Sequence, residues 1–265
     1  MKIAVVLNNK ISDTNAVIQE LKLVFDNAKV CYDLINIDNM KSGYDFVFVI
    51  GGDGTMLRVT RFYAKYSTPV MGVNMGRLGF LSLIAPKDIR ELAEIIEKND
   101  YEIQERIMLK SGNDLALNDI VIKGHSPNRM AKFNLYINDK FVSDYIADGL
   151  IVATPTGSTA YGLSAGGPIL YPELDCLTIV PICPHSMTAR PLVIPSSEKI
   201  LVCSEDECID YSCDGQDIKQ RVKSVKIELA DYKAKLAFPK GDNFYSILRN
   251  KLHWGISPVS AENIV

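Results

Sequence analysis

The sequence lacks the marks of several large protein classes. No apolar run approaches the roughly 20 residues that a membrane-spanning helix needs, and the first run, Ile3–Leu7, is too short for a signal-peptide core. Lys and Arg number 29 against 32 Asp and Glu, so no basic excess suggests a nucleic-acid partner. None of the six cysteines forms a C-x-x-C pair, which favours reduced thiols over a zinc site. We therefore expect a cytoplasmic protein with no membrane or nucleic-acid partner and no metal site of its own.

Three nucleotide-binding or kinase motifs are also missing. No G-x-G-x-x-G follows the first apolar run, which argues against a dinucleotide-binding module or a hydride-transfer enzyme. No G-x-x-x-x-G-K-[ST] loop occurs, and no H-R-D loop accompanies the apolar strand that ends at Lys123. These absences disfavour the P-loop enzymes and the protein kinases.

The hydrophobic patterns change character once along the chain. The first hundred residues alternate apolar strands with helical spacing, as in Asp45–Ile50 followed by Thr55–Tyr66. This βαβα order predicts a parallel sheet with helices on its faces. From about Tyr101, short β-rich runs separated by turns predict a β-sandwich, and helical spacing returns at Phe244–Leu252. The predicted architecture is a Rossmann-like α/β nucleotide domain (residues 1–100 plus about 240–265, its last helix returning to it) and an all-β domain (residues 101–239).

The most informative segment, Gly51–Thr55, reads Gly-Gly-Asp-Gly-Thr and directly follows the apolar run Phe46–Ile50. Glycines let backbone N–H groups approach a ligand with no Cβ in the way, and the N-terminus of the following helix favours phosphate. A carboxylate is electrostatically unfavourable in such a turn unless it has a role, such as orienting a hydroxyl beside the phosphate. The segment predicts a kinase that acts on an alcohol, with a plain tight turn as the alternative.

Two further segments carry polar groups at strand ends. Asn74–Leu81 is Gly-rich and follows the next strand, and ligands of open α/β sheets bind at the carboxyl ends of strands. Asn118 and Asp119 interrupt an apolar strand, and an asparagine amide can read an adenine edge or a ribose. The alternatives are a mobile loop for the first segment and a hairpin turn for the second.

The second half of the chain adds three candidates. Asp148–Tyr161 leads a short strand into a hydroxyl-rich turn, which suits sugar or phosphate recognition or a polar connection between strands. His185 is a candidate catalytic or substrate-binding group, although a lone histidine is more often a structural hydrogen-bonder. Residues 214–216 predict a β-turn that could present Asp214 and Gln216 to a ligand.

Taken in order, these segments resemble the NAD kinase family over nearly the whole chain. Gly51–Thr55 matches the family's GGDGT motif, which diacylglycerol and sphingosine kinases and, more loosely, phosphofructokinases share. Asn74–Leu81 matches NMGxLGFL, and Asp148–Tyr161 matches DGxxxxTPTGSTAY, which is much more specific to NAD kinases. Cys183–Val193 matches CPHSL…RPLV. One departure is Asp119, which stands where the family usually has Glu, and this puts its ribose contact in doubt.

The resemblance implies an enzyme that transfers the γ-phosphate of ATP to the 2′-hydroxyl of the adenosine ribose of NAD, giving NADP. It implies Mg²⁺ or another divalent cation carried with ATP, a homo-tetramer or homodimer, and a site between the domains that a neighbouring subunit completes. A lipid or sphingoid kinase that shares GGDGT is the alternative, for which Thr154–Tyr161 is too polar. NAD or NADH as acceptor, and ATP or polyphosphate as donor, stay open.

The same resemblance assigns the site residues. Asp53 is the catalytic residue, which hydrogen-bonds the 2′-hydroxyl and accepts its proton late; Asp53 or Asp119 is expected to touch the cation through water. The residues expected to bind NAD are Gly52, Asp53, Gly54, Asn74, Phe80, Leu81, Asn118, Asp119, Asp148, Thr156, Ser158, Thr159, Ala160 and Tyr161. The residues expected to contact ATP phosphates are Gly51, Gly52, Gly54, Thr55, Arg58 and Arg77. His185 and Gln216 are further candidates.

Overall fold

The computed structural model describes residues 1–8, 14–75, 79–82, 84–126, 129–205, 208–241 and 243–253, and only the backbone at 14, 15, 93 and 97. The chain divides into two compact units, Met1–Gln104 with Lys235–Val265, and Glu105–Ala234. In chain order its elements are β1 (Ile3–Leu7), α1 (Thr14–Asn27), β2 (Tyr32–Asn36), β3 (Phe46–Ile50), α2 (Asp53–Ala64), β4 (Val70–Val73), α3 (Leu92–Glu97), β5 (Tyr101–Arg106), β6 (Leu109–Ser111), β7 (Asp114–Ala116), β8 (Asp119–Gly124), β9 (Ala131–Ile137), β10 (Lys140–Ala147), β11 (Gly149–Ala153), α4 (Tyr161–Ser164), β12 (Cys176–Ile182), β13 (Leu192–Pro195), β14 (Ile200–Cys203), β15 (Ile209–Cys213), β16 (Asp217–Val222), β17 (Ser224–Leu229), β18 (Ala234–Pro239) and α5 (Phe244–Leu252). Short 3₁₀ helices span Ile37–Asn39, Pro86–Glu91 and Thr156–Thr159.

The first unit is built on a six-stranded sheet in the order β2-β1-β3-β4-β18-β5. The pairs β1–β2, β1–β3, β3–β4 and β4–β18 are parallel. Every residue of β3 is buried, which is why Phe46–Ile50 reads as an unbroken apolar run. The predicted α/β class is confirmed. β5 and β18, which the sequence placed in the all-β domain (residues 101–239), instead belong to this sheet, where β18 pairs with β4 through Leu236 and Val70.

The helices of this unit bury one face each. On α1 the buried side chains include Leu21 and Phe25, which belong to the same apolar core as β3. α5 starts at a capping box, in which the Asn243 side chain accepts from the Ser246 N–H and the Ser246 hydroxyl oxygen accepts from the Asn243 N–H. The last helix belongs to the first unit, as predicted. In the described part of the chain, no helix combines the length and the apolar character that crossing a membrane requires.

The second unit is a sandwich of two six-stranded sheets, ordered β10-β9-β14-β17-β6-β7 and β13-β12-β11-β8-β15-β16. Its pairs with a resolved register are antiparallel, as in β8–β11 and β8–β15. Inward-facing apolar side chains of both sheets, such as Phe133 on β9 and Ile122 on β8, form one core. The predicted β-sandwich is therefore confirmed.

Candidate functional site

The Gly-rich segments of the first unit lie at neighbouring strand ends. β3 and β4 pair through Ile50 and Val73, so the residues that follow them start from the same edge of the sheet. The Gly51 N–H donates to the Val73 carbonyl at 3.0 Å. A Cβ on Gly51 would lie 2.8 Å from the Thr55 Cβ, so glycine allows α2 to begin directly behind the strand.

Within the part of the chain that the structure describes, four donors surround the Asp53 carboxylate, at the first position of α2. Its Oδ2 atom accepts from the Phe80 N–H at 3.0 Å and lies 3.4 Å from Lys251 Nζ. Its Oδ1 atom accepts from the Leu81 N–H at 3.3 Å and the Ser82 hydroxyl at 3.2 Å. A carboxylate offers about four lone-pair positions, so these donors fill its capacity.

Because position 79 is glycine, residues 79–82 can pack closely against the Asp53 carboxylate. A Cβ at position 79 would lie 1.9 Å from Asp53 Oδ1 and 2.8 Å from Ser82 Oγ. Phe80 and Leu81 are predicted to bind NAD; their backbone amides hold Asp53, and their contact with NAD stays a prediction. No sequence pattern indicates Ser82 or Lys251 as a partner of Asp53, whereas Gly79 belongs to the Gly-rich segment Asn74–Leu81.

Two of the residues predicted to bind phosphate, Thr55 and Arg58, already have hydrogen-bond partners within the protein. The Thr55 N–H donates to the Gly52 carbonyl at 3.0 Å, and Arg58 pairs with Asp38 at 2.8 Å. A Cβ on Gly52 would meet nothing within 4 Å, so a ligand could approach that backbone. Arg77 lies outside the described residues, and Asn74 is buried next to the end of β4.

In the second unit, a cavity of about 690 Å³ brings together four of the predicted NAD-binding residues, namely Asn118, Asp119, Ala160 and Tyr161. This volume is within the usual range of small-molecule sites, about 300–1,000 Å³. The cavity is also lined by residues that the sequence analysis did not select, including Lys123, His125, Asp210 and Tyr211.

His125 and Asp210, which line this cavity, form a hydrogen-bond network with Arg221. Arg221 Nε donates to His125 Nε2 at 2.9 Å, and His125 Nδ1 lies 3.0 Å from Asp210. Because Arg221 can only donate, Nε2 is the acceptor and Nδ1 carries the proton toward Asp210. No local sequence pattern indicates these contacts, since His125 follows β8 while Asp210 and Arg221 lie on β15 and β16.

Asp214 and Thr154 fix the backbone at Asn118. The Asp214 carboxylate accepts from the N–H groups of Leu117, Asn118 and Asp119 at 3.0, 2.7 and 3.2 Å. The Thr154 N–H donates to the Asn118 carbonyl at 2.9 Å, and the Thr154 hydroxyl donates to the Leu117 carbonyl at 2.6 Å. The β-turn predicted at 214–216 thus holds the Asn-Asp step in place rather than only facing a ligand.

Asp119 carries the most perturbed carboxyl group of this cavity. It is 4% exposed, and burial raises its pKa to about 7, with the nearby Asp214 carboxylate adding to the rise. The unfolded chain holds this proton less tightly, at a pKa near 3.8, so the folded state binds more protons between the two values. Stability therefore falls as pH rises from about 4 to 7 and stays at the lower level above that.

We predict that Asp119→Asn relieves this cost. The difference in pKa, roughly 3 units, lowers the free energy of unfolding by at most about 4 kcal/mol. This loss is complete above pH 7 and absent near pH 4. The variant should therefore gain melting temperature over the parent at pH 8 and show little gain at pH 4.5, measured by thermal unfolding. The exposed Asp139→Asn is the matched control and should track the parent at both values. An equal gain at both values would contradict the assignment.

The hydroxyl groups of the turn after β11 are used within the fold. Ser158 is 2% exposed; its hydroxyl donates to the Pro155 carbonyl at 2.7 Å and accepts from the Leu170 N–H at 3.0 Å. The Thr159 hydroxyl donates to the Thr156 carbonyl at 3.3 Å. These groups shape the turn, and a direct contact of theirs with NAD stays a prediction.

Three of the other candidates do not line the 690 Å³ cavity. His185 is exposed and lines a separate cavity of about 400 Å³ together with Asp144 and Arg190. Gln216 is exposed in the turn between β15 and β16, and Asp148 is exposed with its N–H bonded to the Ile182 carbonyl. Among the described residues, no group of three or more His, Cys, Asp or Glu side chains is placed to hold a metal ion.

Comparison with known proteins places these features in a family. Residues 8–101 match the model of the ATP-NAD kinase N-terminal domain, and residues 117–238 match that of the ATP-NAD kinase C-terminal domain. The chain is 44% identical over 238 residues to an NAD kinase of Clostridium botulinum, covering 85% of each chain. It is 41% identical over 225 residues to an NAD kinase of Pseudomonas putida, covering 80% of this chain and 76% of the relative.

A solved structure is similar over nearly the full length. The crystal structure of an NAD kinase from Archaeoglobus fulgidus in complex with ATP superposes with a TM-score of 0.79 at 30% identity, covering 96% of this chain and 98% of the other. The match spans both units described above.

Proposed function

The chain belongs to the ATP-NAD kinase family, and we propose on that basis that Asp53 and the cavity around Asn118 serve the transfer of the γ-phosphate of ATP to NAD. The resemblance predicted from the motifs is confirmed, and the enzyme is an ATP-dependent NAD kinase. The lipid or sphingoid kinase alternative has no support from these relatives.

The observation that carries the proposal is the placement of the Asp53 carboxylate. It lies where β3 ends and α2 begins, in a fixed orientation set by the Phe80 and Leu81 amides. Phosphoryl transfer passes through a loose transition state, so positioning and charge neutralisation supply most of the catalysis. An oriented carboxylate at a helix N-terminus suits both requirements, since the helix terminus favours the phosphate and the acid aligns the hydroxyl.

In the proposed reaction, the adenosine 2′-oxygen of NAD forms a bond to the γ-phosphorus of ATP. The bond from that phosphorus to the β,γ-bridging oxygen breaks, and its electron pair leaves with ADP. A sugar hydroxyl is far too weak an acid for a carboxylate to deprotonate it in advance. Asp53 therefore accepts the hydroxyl proton as the new bond forms.

We propose that a divalent cation such as Mg²⁺ enters with ATP and neutralises charge on the triphosphate. Mg²⁺ is held mostly by substrate phosphates and water, so ATP itself can supply its ligands, and the described residues need not form a dedicated cage. We also propose that the first unit binds ATP and the second binds NAD, that the enzyme is a homo-tetramer or homodimer, and that it is cytoplasmic. The β-sandwich cavity at Asn118 and Asp119 supports the placement of NAD in the second unit.

We expect the purified protein to transfer label from γ-labelled ATP to NAD. Parallel incubations with NADH, diacylglycerol, sphingosine and fructose 6-phosphate test the alternatives, and polyphosphate in place of ATP tests the donor. Label on the 2′-phosphate of NADP, and none on lipid or sugar, is the expected result. Transfer to a lipid acceptor in preference to NAD would overturn the proposal.

A further inference from the structure

The C-terminal helix α5 brings a cation to the Asp53 carboxylate. Lys251 Nζ lies 3.4 Å from Asp53 Oδ2 and 4.3 Å from the centre of the Phe80 ring. Lys251 is in the last turn of α5, where the helix dipole favours positive charge. The Asn243 capping box and the buried Leu248 fix the helix at its start and its middle, so the placement of Lys251 follows from the fold.

The Lys251 ammonium group occupies a lone-pair position of Asp53 that the 2′-hydroxyl of NAD needs in the proposed reaction. If Asp53 accepts the proton of the 2′-hydroxyl, one of the four donors found among the described residues must leave, because together they already use its lone-pair positions. The Phe80 and Leu81 donors are backbone amides, and Ser82 is fully buried with a short side chain. Lys251 is the donor that can move, since its side chain is long, 29% exposed and makes the longest of the four contacts.

Breaking the contact between Lys251 and Asp53 costs little free energy and lets the ammonium group approach the phosphate. Partly exposed ion pairs add little to stability, so little is lost when the contact between Lys251 and Asp53 opens. Lysine is a point charge on a flexible stem, and the Phe80 ring face keeps the ammonium group nearby. A hydroxyl that hydrogen-bonds to Asp53 and attacks phosphorus places the phosphoryl oxygens within a few ångströms of this ammonium group.

We propose that Lys251 is a catalytic residue whose ammonium group passes from Asp53 to the transferred phosphoryl group when ATP and NAD are bound. Its departure opens a lone pair on Oδ2 for the 2′-hydroxyl, which Asp53 then deprotonates as the bond to phosphorus forms. Its arrival neutralises charge on the phosphoryl oxygens while the electron pair of the broken bond leaves with ADP. The inference rests on the role of Asp53 proposed above.

Lys251→Met tests it, because methionine keeps the apolar stem and removes the charge. We expect kcat to fall by about 10²–10³-fold, the loss typical for one group that stabilises a transition state. The KM for NAD and the melting temperature should stay near those of the parent. Lys240→Met is the matched control, since Lys240 pairs with Asp100 at the same distance of 3.4 Å, and it should keep the parent kcat.

Two further measurements separate chemistry from structure. Lys251→Arg keeps the charge and should recover part of the lost kcat. Propylammonium added to Lys251→Ala should restore NADP formation in proportion to its concentration, whereas tetramethylammonium, which has no N–H, should not. A purely structural role would be insensitive to the added amine.

The results distinguish this inference from the proposal beneath it. A kcat for Lys251→Met within threefold of the parent, or above it, would overturn the inference, as would a loss that neither arginine nor propylammonium relieves. If Asp53→Asn is inactive while Lys251→Met is active, only the role of Lys251 fails. If Asp53→Asn stays active, the assignment of Asp53 fails.

Discussion

Asp53→Asn is expected to lower the rate of NADP formation by about 10²–10⁴-fold, the usual contribution of a positioned proton acceptor. Asparagine keeps the size of the side chain and one acceptor oxygen, but its amide cannot take the hydroxyl proton. Steady-state assays of NADP formation with saturating ATP and NAD measure the effect. A variant that keeps more than a tenth of the parent kcat would remove Asp53 from the proton transfer.

The structure also predicts a cost in stability for this variant. Sequence reasoning gives Asp53 a catalytic role alone and so predicts an unchanged melting temperature. In the fold, each carboxylate oxygen accepts from a backbone amide, so the new NH₂ group must face the Phe80 or the Leu81 N–H. Losing such a partner costs about 1–3 kcal/mol. We expect a fall of about 2–4 °C in melting temperature per kcal/mol for a chain of this size.

Ser82→Ala is the control that separates the two effects. It removes the hydroxyl that donates to Asp53 Oδ1 at 3.2 Å and leaves the carboxylate intact. We expect a stability loss of about 0.5–1.5 kcal/mol, the ordinary contribution of one hydrogen bond. The fall in kcat should stay below about tenfold, since the proton acceptor remains.

The fold was largely readable from the sequence because hydrophobic periodicity reports burial. β3 is buried on both faces and reads as an apolar run, and Leu248 marks the inner face of α5. Pairing is not encoded locally, so the parallel contact of β18 with β4 was not predicted. Pro86 opens a 3₁₀ segment, Pro86–Glu91, before α3, although the helical spacing of Ile89, Leu92 and Ile96 by itself predicts one continuous helix.

The sequence predicts the site residues that lie next to each other in a glycine-and-acid motif, and it does not predict partners that are far apart in sequence. The Gly-Gly-Asp-Gly-Thr pattern identifies Asp53, but Lys251 reaches it across 198 positions of sequence. Asp214 holds the Asn118 amide from 96 positions away, so a local reading sees only a β-turn. The hydroxyl-rich turn predicts either ligand recognition or a polar connection between strands. The sequence does not show that the Thr154 and Ser158 hydroxyls bond within the fold, because composition does not tell which partner a hydroxyl has.

Gly157→Ala is expected to have the largest effect on stability. A Cβ at position 157 would lie 2.0 Å from the Asn118 carbonyl oxygen and 2.4 Å from its carbon. These are backbone atoms. The Asn118 carbonyl accepts from the Thr154 N–H and the Asn118 N–H donates to the Asp214 carboxylate, so the backbone at Asn118 cannot yield. We expect a loss of about 3 kcal/mol or more, at the upper end for overpacking. Because Asn118 and Asp119 line the cavity, NAD affinity should fall with it.

Gly162→Ala provides the matched control five residues along the chain. Its Cβ would come no nearer than 3.7 Å to the Ala153 Cβ, an ordinary contact, and it lies in α4, where alanine is favoured over glycine by up to about 1 kcal/mol. This variant should unfold at or above the parent temperature and bind NAD as the parent does. The comparison needs thermal unfolding and NAD titration on both variants. Equal melting temperatures would mean that the backbone at Asn118 gives way, because the two substitutions differ in the atoms that the new methyl group meets.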